Sequence, residues 1–168
     1  MTLLVSPMRH VEHMLTTHRP SHVMTLLAPD VDPPICADVP PDRRLILKFH
    51  DIVTVSPGLV MPSRGTVQGI LDFGRGWDRQ APMLIHCFAG ISRSTAAAYI
   101  LACSLAEPGS EADLAKRLRA LSPSATPNIL MVALADNILQ RDGAMLAAVK
   151  NIGRGADAFE GVPFEFSI

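Results

Sequence analysis

Short runs dominated by apolar residues recur at Leu3–Val5, Val23–Leu27, Leu45–Phe49 and Pro82–Cys87. The first two are what buried parallel strands require, since both faces of such a strand are covered, and the other two read as further strands. Between the first two, Val11, Met14 and Leu15 repeat at helical spacing. A second helical face is predicted over Pro62–Arg75, where Val67, Ile70, Leu71 and Gly74 align, and a third helix over Ser94–Ala106. Pro108-Gly109-Ser110 breaks that helix, and Leu114, Leu118 and Leu121 stripe the next one. A further helix is predicted from Asn128 to Gln140, with Leu130, Leu134 and Ile138 toward the core. Gly143 leaves open whether this helix runs on through 144–150. The proline-rich stretch around Pro29, Pro33, Pro34, Pro40 and Pro41 reads as loop. Strands alternating with helices, then helices alone, predict an α/β fold: a central, mostly parallel sheet flanked by helices, with a helical C-terminal third.

Composition narrows the class of protein. The chain has 168 residues, 48% hydrophobic and 18% charged, which suits one globular unit with a sizeable core. A formal net charge of -1 provides no broad basic field, so neither nucleic acid nor an anionic membrane is an expected partner. Cys36, Cys87 and Cys103 are too far apart for a zinc motif, and their odd number points to free thiols. No metal or cofactor is expected. The N-terminal apolar run is too brief for a signal peptide and the Ala-rich run is too short for a bilayer span, so a cytoplasmic location is expected.

One segment carries chemistry: His86-Cys87-Phe88-Ala89-Gly90-Ile91-Ser92-Arg93-Ser94. Cys87 ends a predicted buried strand, Gly90 sits in a loop, and Arg93-Ser94 open a helix. Such a loop turns backbone N–H groups toward a bound anion, and the helix dipole adds positive potential. Arg93 offers a planar fork matched to two phosphate oxygens. The same groups favour the thiolate of Cys87, the form that attacks phosphorus. Ser94 is placed to donate to that sulfur and help it leave, while Ala89 and Gly90 permit a tight loop.

The His-Cys-x5-Arg-Ser pattern resembles the signature of the cysteine-based protein tyrosine phosphatase superfamily. Its Ala-Gly-Ile-Ser filling is most similar to the dual-specificity branch. The resemblance covers Val23 to about Gln140 and implies a phosphatase-like sandwich. It would make residues 1–150 one phosphatase domain and 151–168 a tail that docks on the core or on a partner. It also implies a phosphocysteine on Cys87, phosphate binding by Arg93 and the loop Phe88–Arg93, support of the loop by His86, and an upstream aspartate as general acid. In an open parallel sheet the site lies beyond the C-terminal strand ends. Asp51 follows the strand Leu45–Phe49 and emerges there; Asp30 and Asp32 follow Val23–Leu27 and remain admissible. The family's acid loop also favours Asp51, although Phe49-His50-Asp51 stands where that family often has Trp-Pro-Asp, and the spacing to Cys87 is long. Asn128 resembles a position in a family loop near the site and reads equally well as a helix cap. Arg64 falls in the extended acid loop. The expected substrate is a phosphorylated protein or a small phosphomonoester. The absence of lysine from the loop disfavours phosphoinositides. Two other readings stay open, a rhodanese-like sulfurtransferase and a non-catalytic phosphoprotein-binding module.

Overall fold

A computed structural model describes residues 1–168. The first strand, β1 (Thr2–Pro7), leads through a 3-10 turn into α1 (Val11–His18), which returns to β2 (His22–Leu27). After the proline-rich loop come β3 (Arg44–Lys48), α2 (Arg64–Gly76) and β4 (Met83–Cys87). Four helices follow: α3 (Arg93–Leu105), α4 (Glu111–Leu121), α5 (Ile129–Ile138) and α6 (Ala144–Ile152). A last strand, β5 (Phe164–Ser167), completes the chain. The five strands form one sheet in the order β3-β2-β4-β1-β5. All pairs are parallel except β1 with β5. The fold is thus the expected α/β sandwich, with one antiparallel strand added at the edge.

The sheet has two covered faces. On one, Leu4, Val23 and Leu84 meet Val11 and Met14 of α1, together with Cys36 and Val39 from the proline-rich loop. On the other, Leu3, Val5, Met24, Leu26, Met83 and Ile85 face a far larger cluster supplied by α2 to α6. Helix α3 runs through its middle: every residue from Arg93 to Cys103 is buried. Its alanines let neighbouring helices approach closely, which explains a run apolar on all sides.

Several sequence expectations shift. Leu114 and Leu118 are buried as the stripe predicts, but Leu121, the last residue of α4, is 44% exposed. The buried face of α5 is Met131, Val132 and Ala135, while Leu134 and Ile138 pack at the core's margin and Leu130 is half-buried. The helix begins where the sequence places it, with Asn128 Oδ1 accepting from Met131 N–H as the N-cap, and the buried stripe lies one position along from the predicted one. Helix α5 does not continue into α6. Gly143 adopts a left-handed φ of 85°, and the buried Asp136 carboxylate accepts from the N–H groups of Gly143, Met145 and Leu146. A carboxylate at a helix N-terminus satisfies donors that have no intrahelical acceptor.

The segment after α6 docks on this chain. Arg119 of α4 clamps it, donating from Nη1 to the carbonyl of Ile152 (2.7 Å) and from Nη2 to those of Gly153 (2.8 Å) and Ala125 (2.7 Å). Downstream, Arg9 pairs with Glu160, and Phe164 and Phe166 bury their rings as β5 joins β1. No helix is long and apolar enough to cross a membrane.

Candidate active site

Strand β4 delivers Cys87 at the C-terminal edge of the sheet, and α3 begins six residues later at Arg93. The connecting loop is bent around the sulfur. Gly90 N–H donates to Cys87 Sγ at 3.2 Å, and Ser94 Oγ lies 3.2 Å from the same atom. Gly90 takes a left-handed φ of 69°, and a Cβ there would stand 2.6 Å from the nitrogen of Pro7. Backbone conformation and space therefore both demand glycine at this position.

What holds the loop open toward its centre is the fate of its carbonyls. The N–H of Met8 donates to Phe88 O (3.1 Å), that of Gly161 to Ala89 O (2.8 Å), and that of Thr126 to Ile91 O (2.9 Å). Ser92 O accepts from Ala96 N–H at 2.9 Å. With these carbonyls engaged by the surroundings, the N–H groups of Phe88, Ala89, Ile91, Ser92 and Arg93 donate to no protein atom. Five unpaired donors around one sulfur form a concavity suited to an anion with several acceptor oxygens.

Arg93 is buried beside the loop. Its Nη1 donates to the carbonyl of Phe49 at 2.9 Å, and its guanidinium lies 6.0 Å from the centre of the Phe49 ring. Its Nε is buried with no partner, a donor left over for a ligand. His86 is fully buried, with Nε2 at 2.8 Å from Thr25 Oγ1 on β2. Burial, the larger influence, pushes its imidazole down to about 4, against a smaller opposing pull from the Cys87 backbone. His86 is consequently neutral near pH 7, and its contact with Thr25 ties the end of β4 to its neighbour.

Asp51 reaches this loop, whereas Asp30 and Asp32 are exposed and make no hydrogen bond to it. Ser92 Oγ donates to Asp51 Oδ1 at 2.7 Å and Asn128 Nδ2 donates to the same oxygen at 2.8 Å. Asn128 thus does two things, capping α5 and holding the aspartate. The sequence offers a place near the site and a helix cap as alternatives; the residue has both. Arg64 is not part of this arrangement: it bonds Asn137 at 2.8 Å and borders a cavity of about 790 Å3 around α5 and α6. A second groove, of about 670 Å3, has Asp51, Ser92 and Asn128 in its wall.

Cys103 is fully buried in α3, and burial pushes its thiol up to about 12 against a smaller downward pull from Tyr99. It is a core side chain. The contribution that sequence reasoning missed is the tail's: Gly161 closes on Ala89 O so tightly that a Cβ would stand 2.8 Å from Gly90 O. The only advance signal was the glycine itself.

No family model matches the sequence, and no curated protein matches it. Solved structures do. The crystal structure of DUSP15 aligns with a TM-score of 0.59 at 18% identity, covering 89% of this chain and 90% of that one. The PTP-2 phosphatase of Cydia pomonella aligns with a TM-score of 0.57 at 17% identity, covering 80% and 84% respectively. At such identities the likeness concerns the fold, and on that ground the chain has the fold of the dual-specificity-phosphatase-like cysteine phosphatases.

Proposed function

We propose that this protein is a phosphomonoester hydrolase working through a phosphocysteine on Cys87. One observation carries the reading: Cys87 Sγ sits within a loop that has five unpaired backbone N–H groups, beside a buried Arg93 with an unpaired Nε. A phosphoryl group has three oxygens to accept those donors, and its charge is what a site of this polarity favours.

In the first step the Cys87 thiolate forms an S–P bond as the P–O bond to the leaving alcohol or phenol breaks. Asp51, protonated, gives its proton to the departing oxygen. In the second step Asp51, now a carboxylate, takes a proton from water as that water attacks phosphorus. The S–P bond breaks and inorganic phosphate leaves, with Ser94 Oγ donating to the sulfur as its charge returns. The loop amides and Arg93 offset the oxygen charges throughout. The substrate is a phosphorylated protein or a small phosphomonoester.

Hydrolysis of an aryl phosphate by wild type, Cys87→Ser and Asp51→Asn across pH tests this. Cys87→Ser is expected to be inactive, and Asp51→Asn to lose about 10²-fold or more in kcat together with the basic limb of its profile. Normal turnover by Cys87→Ser sinks the proposal. Full activity in Asp51→Asn removes that residue from the mechanism and leaves the cysteine chemistry standing.

A further inference from the structure

We infer that Asn128 and Ser92 are positioning residues that act through Asp51, fixing which of its oxygens carries the proton delivered to the leaving group. The inference rests on the phosphatase reading above and concerns two side chains that touch Asp51, whereas the Ser92 backbone N–H faces the phosphoryl group.

The geometry is asymmetric in a useful way. Both donors converge on Oδ1, at 2.7 Å from Ser92 Oγ and 2.8 Å from Asn128 Nδ2, while Oδ2 has no hydrogen-bond partner. An oxygen already accepting two hydrogen bonds is the poorer place for a proton, so the acid proton resides on Oδ2. Oδ2 belongs to an exposed residue at the edge of the groove, where a leaving oxygen can reach it. The clamp therefore selects the oxygen and limits rotation of the carboxyl group about its Cβ–Cγ bond.

Asn128 cannot turn away from this task. Its Oδ1 accepts from Met131 N–H at 3.1 Å as the cap of α5, which obliges Nδ2 to face outward from the helix. Nδ2 also lies 3.4 Å from the carbonyl of Ile52. The residue is 4% exposed, so its orientation is set by the fold and not by solvent. Ser92 is anchored differently, its carbonyl accepting from Ala96 and Asn128 N–H groups. The acid is thereby tied at once to the anion loop and to the first turn of α5. This couples two structures that must move together for proton transfer to stay aligned with phosphorus.

The test uses Asn128→Ser, since serine retains an N-cap acceptor but has no amide to reach Asp51. Against a series of aryl and alkyl phosphates, Asn128→Ser and Ser92→Ala are each expected to lower kcat about tenfold for poor leaving groups, with KM little changed. Substrates with good leaving groups, which need little protonation, should be nearly unaffected. In an Asp51→Asn background Asn128→Ser should have no further effect. An equal loss for all leaving groups, an undiminished loss in the Asp51→Asn background, or no loss at all overturns the inference. A second measurement stands apart from turnover: the Asn128 side-chain amide proton resonances should shift on Asp51→Ala. Unmoved resonances refute the clamp even in an inactive protein. A shift in a protein with no phosphatase activity refutes the proposed function and leaves the clamp in place.

Discussion

Gly161→Ala isolates the contribution of the C-terminal tail to the anion loop. The new Cβ would stand 2.8 Å from Gly90 O, 3.3 Å from Gly90 C and 3.5 Å from Ala89 O. These are backbone atoms, held by the loop's own bonds, so the strain cannot be relieved by turning a side chain. The tail must retreat by several tenths of an ångström, which stretches or breaks the Gly161 N–H bond to Ala89 O. Losing that bond is worth about 1 kcal/mol and the residual overpacking about 1 kcal/mol more. For a chain of this length, about 2 kcal/mol lowers Tm by about 4–8 °C. With its carbonyl released, the Ala89–Gly90 peptide is free to rotate, and a flipped peptide turns the Ala89 oxygen toward Cys87 Sγ in place of the Gly90 N–H, which disfavours the thiolate. Aryl phosphate turnover should therefore fall about tenfold or more at temperatures well below the melt. Gly76→Ala is the control: its added Cβ meets nothing within 4 Å, and it should melt like wild type or slightly higher. If Gly161→Ala matches wild type in both melting and turnover, the tail does not hold the loop.

Two further expectations follow from buried groups. With its pKa at about 4 folded and 6.5 unfolded, His86 binds a proton more readily in the unfolded chain. Stability should hold above pH 6.5 and fall by about 3 kcal/mol as pH drops from 6.5 through 4. Urea titrations at several pH values should show that portion missing in His86→Gln; an identical pH slope in both proteins refutes it. Separately, Arg141 pairs with Glu111 at 2.8 Å, the two side chains 8% and 4% exposed, and also donates to Cys103 O and Ala106 O at the end of α3. Arg141→Met strands a buried carboxylate and should cost about 3–5 kcal/mol by urea denaturation, with Arg141→Met/Glu111→Gln recovering part of it.

How much of this was written legibly in the sequence depends on the range of the interaction concerned. Strands β1, β2 and β4 and the start of α3 follow from local patterns, because a strand buried on both faces must be apolar throughout; β3, at the edge and without a buried residue, shows in its Leu45-Ile46-Leu47 run. Asp51 could be favoured from strand polarity alone, since Leu45–Phe49 fixes the end at which the chain emerges. Strand β5 is not legible in the sequence: Phe164-Glu165-Phe166 alternates as an edge strand should, but over too few residues to distinguish it from chance. The buried face of α5 was not legible because its sequence, Ile129 to Ala135, is apolar on every side, so spacing alone does not choose between the Leu130 and Met131 stripes. Nor does spacing show that Asn128 and Ser92 share one carboxylate oxygen, for that contact joins β3's loop, the anion loop and α5 only after the helices pack.

The carbonyls that face away from the anion loop have a consequence for the order in which the molecule assembles. Apart from Ser92 O, bonded within its own helix turn, their partners lie far off in sequence, Met8 for Phe88, Thr126 for Ile91 and Gly161 for Ala89. Each closure joins parts distant in sequence, the kind of contact that forms late. Competence to bind an anion should then be the last property regained on refolding from denaturant, trailing the recovery of helix and sheet. It makes the site a clock for completed folding, and leaves a nascent chain lacking its final residues without a finished one.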